Sequence, residues 1–312
     1  MILRIDRHLT ELPPPSSPDP KGASAVQELM GGKFGEMSTF LNYTFQSFNF
    51  RNRQGARPFY DLVANIAAEE FGHIELVAAT INTMLTGSSV DDLRDSHTPQ
   101  QFIAGGKAAL AQNSHGIPWN GDYVNNTGDL VEDLMANFLL ETGARNNKLK
   151  VYESCEHPAA RALTGYLLVR GGVHQVAYAR ALENLTGADV SKLFPTPRIP
   201  TDKIPEAQVH MKAGKHLKLY RFSPSDYLEL AAVWNGAHPE TGEPLVVEDQ
   251  APEGVPPFAL PAETDVFAPD YAPEEIAQIA KRLRTQAGLP EMPTGVVANP
   301  TNGNGLVDKV AP

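Results

Sequence analysis

Residues 58–85 read PFYDLVANIAAEEFGHIELVAATINTML. The stretch opens on Pro58, a favoured first-turn residue, and contains no other proline. It predicts one long helix from Pro58 to about Leu85. Near its middle stands Glu70-Phe71-Gly72-His73. Side chains at i and i+3 project from one helix face, so this carboxylate and imidazole can reach one metal region. A lone Glu-x-x-His also arises on ordinary solvated helices. Its weight depends on what the rest of the chain brings beside it.

Proline distribution shows where that helix finds neighbours. Of 26 prolines, five lie in residues 1–20, four in 21–190 and seventeen in 191–312. Because proline is excluded from helix interiors, residues 21–190 read as a helical body. Residues 1–20 read as an extended arm and 191–312 as a wrapping tail. The tail is expected to have little core of its own, one short helix near 273–286 and a disordered end. Besides 58–85, the body predicts helices over about 22–49, 129–152 and 158–186. A loop of roughly forty residues joins the second helix to the third. Two tight helical hairpins joined by a long crossover describe an all-α, ferritin-like four-helix bundle.

In antiparallel hairpins, positions equidistant from the turn lie at the same height. From residue 53, Glu36 is 17 residues back and Glu70 is 17 forward; from residue 157, Glu141 and His174 are 16 and 17 away. Glu36, Glu70, His73, Glu141 and His174 are therefore expected to share one layer. Buried carboxylates are costly unless a partner compensates them, and three carboxylates with two imidazoles suit manganese or iron. Gly31, Gly32, Gly35, Gly72, Gly143, Gly171 and Gly172 stand near these positions. Inside helices each would cost about 1 kcal/mol against alanine, so close helix approach is expected there. Tyr43 follows Glu36 by seven residues and Lys148 follows Glu141 by seven, two turns along the same faces. Both are candidate catalytic groups. His8, His97, His115, His157, His210, His216 and His238 have no partner at ligand spacing and read as surface or structural. Glu69 and Glu75 read as a supporting or solvated pair.

Composition narrows the remaining classes. The 312 residues are 42% apolar and carry 26 basic against 37 acidic side chains, a net charge of −11. That balance argues against nucleic-acid and anionic-membrane partners. The single cysteine, Cys155, excludes an intrachain disulfide framework and a cysteine-based zinc or iron–sulfur site. Residues 1–7 lack the apolar core of a secretory signal, and no apolar run approaches the roughly 20 residues that span a bilayer. A cytoplasmic protein is the expectation. No Gly-x-x-x-x-Gly-Lys, Gly-x-Ser-x-Gly or His-Glu-x-x-His occurs, so nucleotide hydrolysis, serine hydrolysis and zinc proteolysis have no support.

Several segments together resemble the manganese catalases. They are Gly31 to Thr39, Ala68 to Glu75 and Leu168 to His174, supported by Leu3-Arg4-Ile5-Asp6, Trp119 to Tyr123 and Leu219 to Pro224. The resemblance runs to about residue 240 and weakens through the tail. It implies two manganese ions per chain without haem, Glu36 and His73 on one, Glu141 and His174 on the other, Glu70 bridging. It further implies decomposition of hydrogen peroxide to water and dioxygen, with the pair cycling between Mn(II)2 and Mn(III)2, in a homohexamer. Some members carry arginine before the third-helix glutamate; here Leu140 stands there, which leaves Lys148 as the nearby cation. Some also bind calcium through two aspartates and an Asn-Phe-Ser-x-Gly turn. Here Asp61 remains, but Asn65 and Arg221-Phe222-Ser223-Pro224-Ser225 take the other places, which leaves the calcium site open to question. A di-iron oxidase or peroxidase, or a non-catalytic ferritin-like storage or coat protein, remains open on the same residues.

Overall fold

The computed structural model describes residues 7–194, 196, 198–261 and 273–290. The Leu3-Arg4-Ile5-Asp6 segment and the C-terminal end expected to be disordered lie outside the described residues. In chain order the elements are α1 (Pro20–Gly31), α2 (Glu36–Asn49), α3 (Arg57–Leu85), α4 (Val90–Asp95), α5 (Gln100–Ile103), α6 (Leu130–Ser154), α7 (Pro158–Thr186), α8 (Val190–Leu193), α9 (Pro205–Lys212), β1 (Lys218–Tyr220), β2 (Val246–Glu248) and α10 (Pro273–Gln286). Two units divide the chain, residues 1–261 and 262–312. The second contributes α10, at the position its sequence predicts, among its described residues.

The bundle is built from the hairpins α2–α3 and α6–α7, with α1 packed on α3. Local chemistry sets its helix ends. Asp19 accepts from Gly22 N at 2.8 Å to cap α1, and Asp129 accepts from Glu132 N at 2.9 Å to cap α6. Pro58 and Pro158 sit in the first turns of α3 and α7. Gly187, at φ +70°, ends α7 through a backbone bond to Glu183 O. The crossover is pinned to α1 by the buried Gln27 side chain, which donates to Leu110 O at 2.6 Å and Gln112 O at 2.7 Å.

Two expectations are corrected. The helix read as continuous over 22–49 is broken between Gly31 and Glu36. Gly31 lies so close to the main chain of Gln112, and Gly35 to the carbonyls of Glu28, Leu29 and Met30, that no side chain fits at either. These glycines make a break rather than a close helix contact, and the break leaves Glu36 as the first residue of α2.

The tail also carries more structure than expected. Residues 191–261 contain α9 and the parallel pair β1–β2, in register Leu219↔Val247. Leu219, Leu230, Val233, Trp234 and Leu245 join the same core as Tyr43, Leu62 and Val176. Trp234 Nε1 donates to Leu217 O and Val246 O, both at 3.0 Å, so its polar atom is satisfied within that core. Single large side chains scattered among prolines carry no helical or strand period, which is why this packing was not foreseen.

Candidate metal centre

Glu36, Glu70, His73, Glu141 and His174 meet in one buried layer, each at most 1% exposed. Glu36 enters from the N-terminus of α2, Glu70 and His73 from the middle of α3, Glu141 from α6 and His174 from α7. The layer has a two-sided pattern centred on Glu70. Its Oε2 lies 3.1 Å from His73 Nδ1, and its Oε1 lies 2.6 Å from His174 Nδ1. Each imidazole faces a second carboxylate with the same nitrogen: His73 Nδ1 is 3.5 Å from Glu36 Oε2, and His174 Nδ1 is 3.5 Å from Glu141 Oε1. The two rings stack at 5.6 Å between centroids, inclined by 27°. Thr39 Oγ1 donates to Glu70 Oε2 at 2.9 Å and steadies the central carboxylate.

Tyr43 and Lys148 are also buried here, but each reaches across the bundle. Tyr43, read as lying along the face of Glu36, donates its phenolic proton to Glu141 Oε1 at 2.7 Å. Lys148, read as lying along the face of Glu141, places Nζ 2.9 Å from Glu36 Oε1. Burial, and then the Glu141 charge, push the Tyr43 phenol well above its usual range, so it remains a proton donor. Burial pulls the Lys148 ammonium down, but Glu36 and then Glu141 outweigh it and hold the charge.

Gly143, Gly171 and Gly172 accommodate side chains rather than another backbone. A Cβ on Gly171 would stand 3.1 Å from Arg145 Cγ and 3.6 Å from Lys148 Nζ, and Gly143 accepts the ring of Phe34.

Two further groups complete the charge pattern. Glu69, expected to be a supporting or solvated residue, is fully buried, and Arg170 grips it at 2.5 Å from Nε and 2.9 Å from Nη2. Helical spacing alone gives Arg170 no role. Its signal in the sequence is a lone cation in the apolar run Leu167-Leu168-Val169-Arg170-Gly171, four residues before His174.

The donor set fits divalent metal ions. Glu141 Oε2 is buried without a hydrogen bond, and Glu36 Oε2, Glu70 Oε1 and His174 Nδ1, also without one, face only other atoms of the layer. Such atoms normally find a partner, and unpaired buried charge is expensive. Four carboxylates, Glu36, Glu69, Glu70 and Glu141, are met by two paired cations, Lys148 and Arg170, and the buried Arg145 also acts on Glu141. The residual negative field is felt by the imidazoles. Burial lowers the His73 pKa, but Glu70 and then bonds to Glu36, Glu69 and Glu70 lift it to about 10. A layer that draws positive charge this strongly is suited to cations.

The residues do not fit calcium at the other position considered. Asp61 Oδ1 faces the Arg57 guanidinium at 2.7 Å, and its Oδ2 accepts Glu229 N at 3.0 Å. Asn65 is spent on Tyr220 O at 2.8 Å and Phe222 N at 2.9 Å. A protein cation and an amide occupy the roles that a bound ion would need.

Comparison with known proteins places the chain in a family. The family profile described as manganese containing catalase matches residues 1–289. An uncharacterized protein of Bacillus subtilis strain 168 is 31% identical over 195 residues, 58% of this chain and 69% of that protein. A manganese catalase of Bacillus subtilis is 31% identical over 196 residues, 58% of this chain and 71% of its own length. The crystal structure of a wild-type manganese catalase from Anabaena shares the fold, with a TM-score of 0.54 at 24% identity, covering 72% of this chain and 92% of that one. The chain belongs to the manganese-containing catalase family.

Proposed function

We propose that this chain decomposes hydrogen peroxide to water and dioxygen at two manganese ions held by Glu36, Glu70, His73, Glu141 and His174. Family membership supports catalase-type chemistry, manganese and peroxide as substrate. The observation that carries the two-ion reading is the position of Glu70. Its two oxygens address different imidazoles, and each imidazole has its own second carboxylate. Glu36 and His73 would hold one ion, Glu141 and His174 the other, and Glu70 would lie between them. When bound, such a pair supplies a two-electron couple that can take electrons from one peroxide and give them to another.

The protein's own groups prepare that chemistry. The layer is shut off from bulk water by its burial, which strengthens every charge interaction inside it. Lys148 fixes Glu36 and offsets one carboxylate charge, while Tyr43 fixes Glu141 and keeps a proton on a phenolic oxygen beside the layer. Both are placed to hold protons that peroxide cleavage consumes and peroxide oxidation releases. Manganese is preferred to iron here because the chain belongs to the manganese family; the donor atoms alone suit either metal.

Elemental analysis and oxygen release from peroxide, measured on one purified sample, test the reading. Two manganese per chain with oxygen release is the expected result. Iron as the dominant metal, with no gain in oxygen release after manganese loading, would overturn it.

A further inference from the structure

We propose that Glu69 and Arg170 are positioning residues that set both metal-binding imidazoles, and that residues 215–220 of the tail hold them in place. The proposal rests on the two-ion reading above.

Glu69 and Glu70 are consecutive on α3, and between them they address both nitrogens of both rings. Glu70 faces His73 Nδ1 and His174 Nδ1. Glu69 faces the opposite atoms: its Oε1 lies 3.7 Å from His73 Nε2 and its Oε2 lies 3.2 Å from His174 Nε2. An imidazole that gives Nδ1 to a metal carries its proton on Nε2, and in both rings Glu69 is the carboxylate on that side. Rotation of either ring would forfeit contacts at both of its nitrogens. One carboxylate thus selects the tautomer and orientation of two rings, the task that outer partners of metal-bound histidines perform.

Arg170 makes this possible. Its guanidinium engages both Glu69 oxygens, 2.5 Å from Nε to Oε1 and 2.9 Å from Nη2 to Oε2, and so holds the carboxylate in one orientation toward the two rings. Arg170 is itself anchored by the tail. Its Nη1 donates to Lys215 O at 2.6 Å and Lys218 O at 2.8 Å, and its guanidinium lies 4.8 Å from the Tyr220 ring centroid. Glu69 belongs to the first hairpin, Arg170 to the second and residues 215–220 to neither. The three together lock the hairpins at the height of the histidines. A buried ion pair by itself is poor evidence of a stabilising role, and the shared histidine contacts are what give this one a purpose.

Glu69→Gln alone would strand a buried guanidinium and risk the fold, so the informative variant is Glu69→Gln/Arg170→Gln. It removes both charges and keeps donors for the two tail carbonyls. Helical content by circular dichroism should remain, while the manganese dissociation constant, read against a competing chelator in the full chain, should rise about ten- to a hundredfold. Arg170→Lys supplies the same readout if the double variant does not fold. It keeps charge beside Glu69 but cannot engage two carboxylate oxygens and two carbonyls at once. An unchanged dissociation constant in the folded variant overturns the proposal. A parent chain that takes up no manganese defeats the two-ion reading instead, so the two failures are distinguishable.

Discussion

The molecule buries two pairs of histidines, and they behave in opposite ways. His73 and His174 stack at 5.6 Å in the bundle layer; His216 and His238 meet edge to face at 5.4 Å within the tail. The first pair stands among four buried carboxylates. The second has one carboxylate near it, Glu243, 3.5 Å from His216 and itself about half exposed. His73 is lifted to about 10, whereas burial and then His216 push His238 down to about 4. His238 spends Nδ1 on the backbone N–H groups of Glu240 and Thr241, both at 3.3 Å. Burying imidazoles favours their neutral form, and surrounding them with carboxylates makes a place for cations. Residue type is shared by the two pairs, so the carboxylates make the difference.

The strongest way to break this comparison is to remove the central carboxylate. Glu70→Ala should lose both ions, and oxygen release should fall by more than about a hundredfold, the upper range for a residue that merely supports a ligand. His73→Ala should lose mainly one ion and also stop turnover. Both variants should stay largely helical, which circular dichroism would check beside metal analysis. Full metal and full rate in either variant would disprove its ligand role.

A finer change keeps the ligands and alters their charge. Lys148→Met preserves length and helix propensity but removes the ammonium 2.9 Å from Glu36. With two manganese retained, turnover should fall roughly ten- to a hundredfold, since a charge-assisted hydrogen bond contributes about 1.5–3 kcal/mol. Unchanged turnover at low and saturating peroxide would reduce Lys148 to a packing role.

The smallest effect belongs to the second pair. His238→Gln should leave manganese content and turnover unchanged. In the native fold His238 stays neutral down to about pH 4, whereas in the unfolded chain it takes a proton near the ordinary imidazole value of 6.5. Its contribution is therefore complete above 6.5 and is lost as the pH falls toward 4. Urea unfolding at pH 7 and pH 4.5 should show an acid loss about 1–3 kcal/mol smaller in the variant. An equal acid loss in both proteins would contradict the assignment. His216, Glu243, Arg145 and Arg180 also act electrostatically on His238, and all are retained in this test.

Much of the fold was legible because proline marks where helices cannot be, and because the hairpin turns let heights be counted. The five polar residues at matching heights do meet in space. Besides the packing of the tail, three things were hidden. The break before Glu36 lies where Met30, Phe34 and Met37 continue the helical period, so the pattern runs straight through it. Tyr43 and Lys148 lie two turns from Glu36 and Glu141, but spacing along one helix does not say which neighbouring carboxylate a side chain reaches. Glu69 and Arg170 are 101 residues apart, and their partnership needs the packing of α3 on α7. Long-range polar pairing of this kind leaves no periodic trace in one chain.

The central claim is that Glu70 stands between two manganese ions. Anomalous scattering from crystals of the manganese-loaded protein, collected on both sides of the manganese absorption edge, tests it most directly. Two edge-dependent peaks are predicted in each chain, one beside Glu36 and His73, the other beside Glu141 and His174, with Glu70 touching both. A single peak, or peaks lying away from Glu70, would contradict the account.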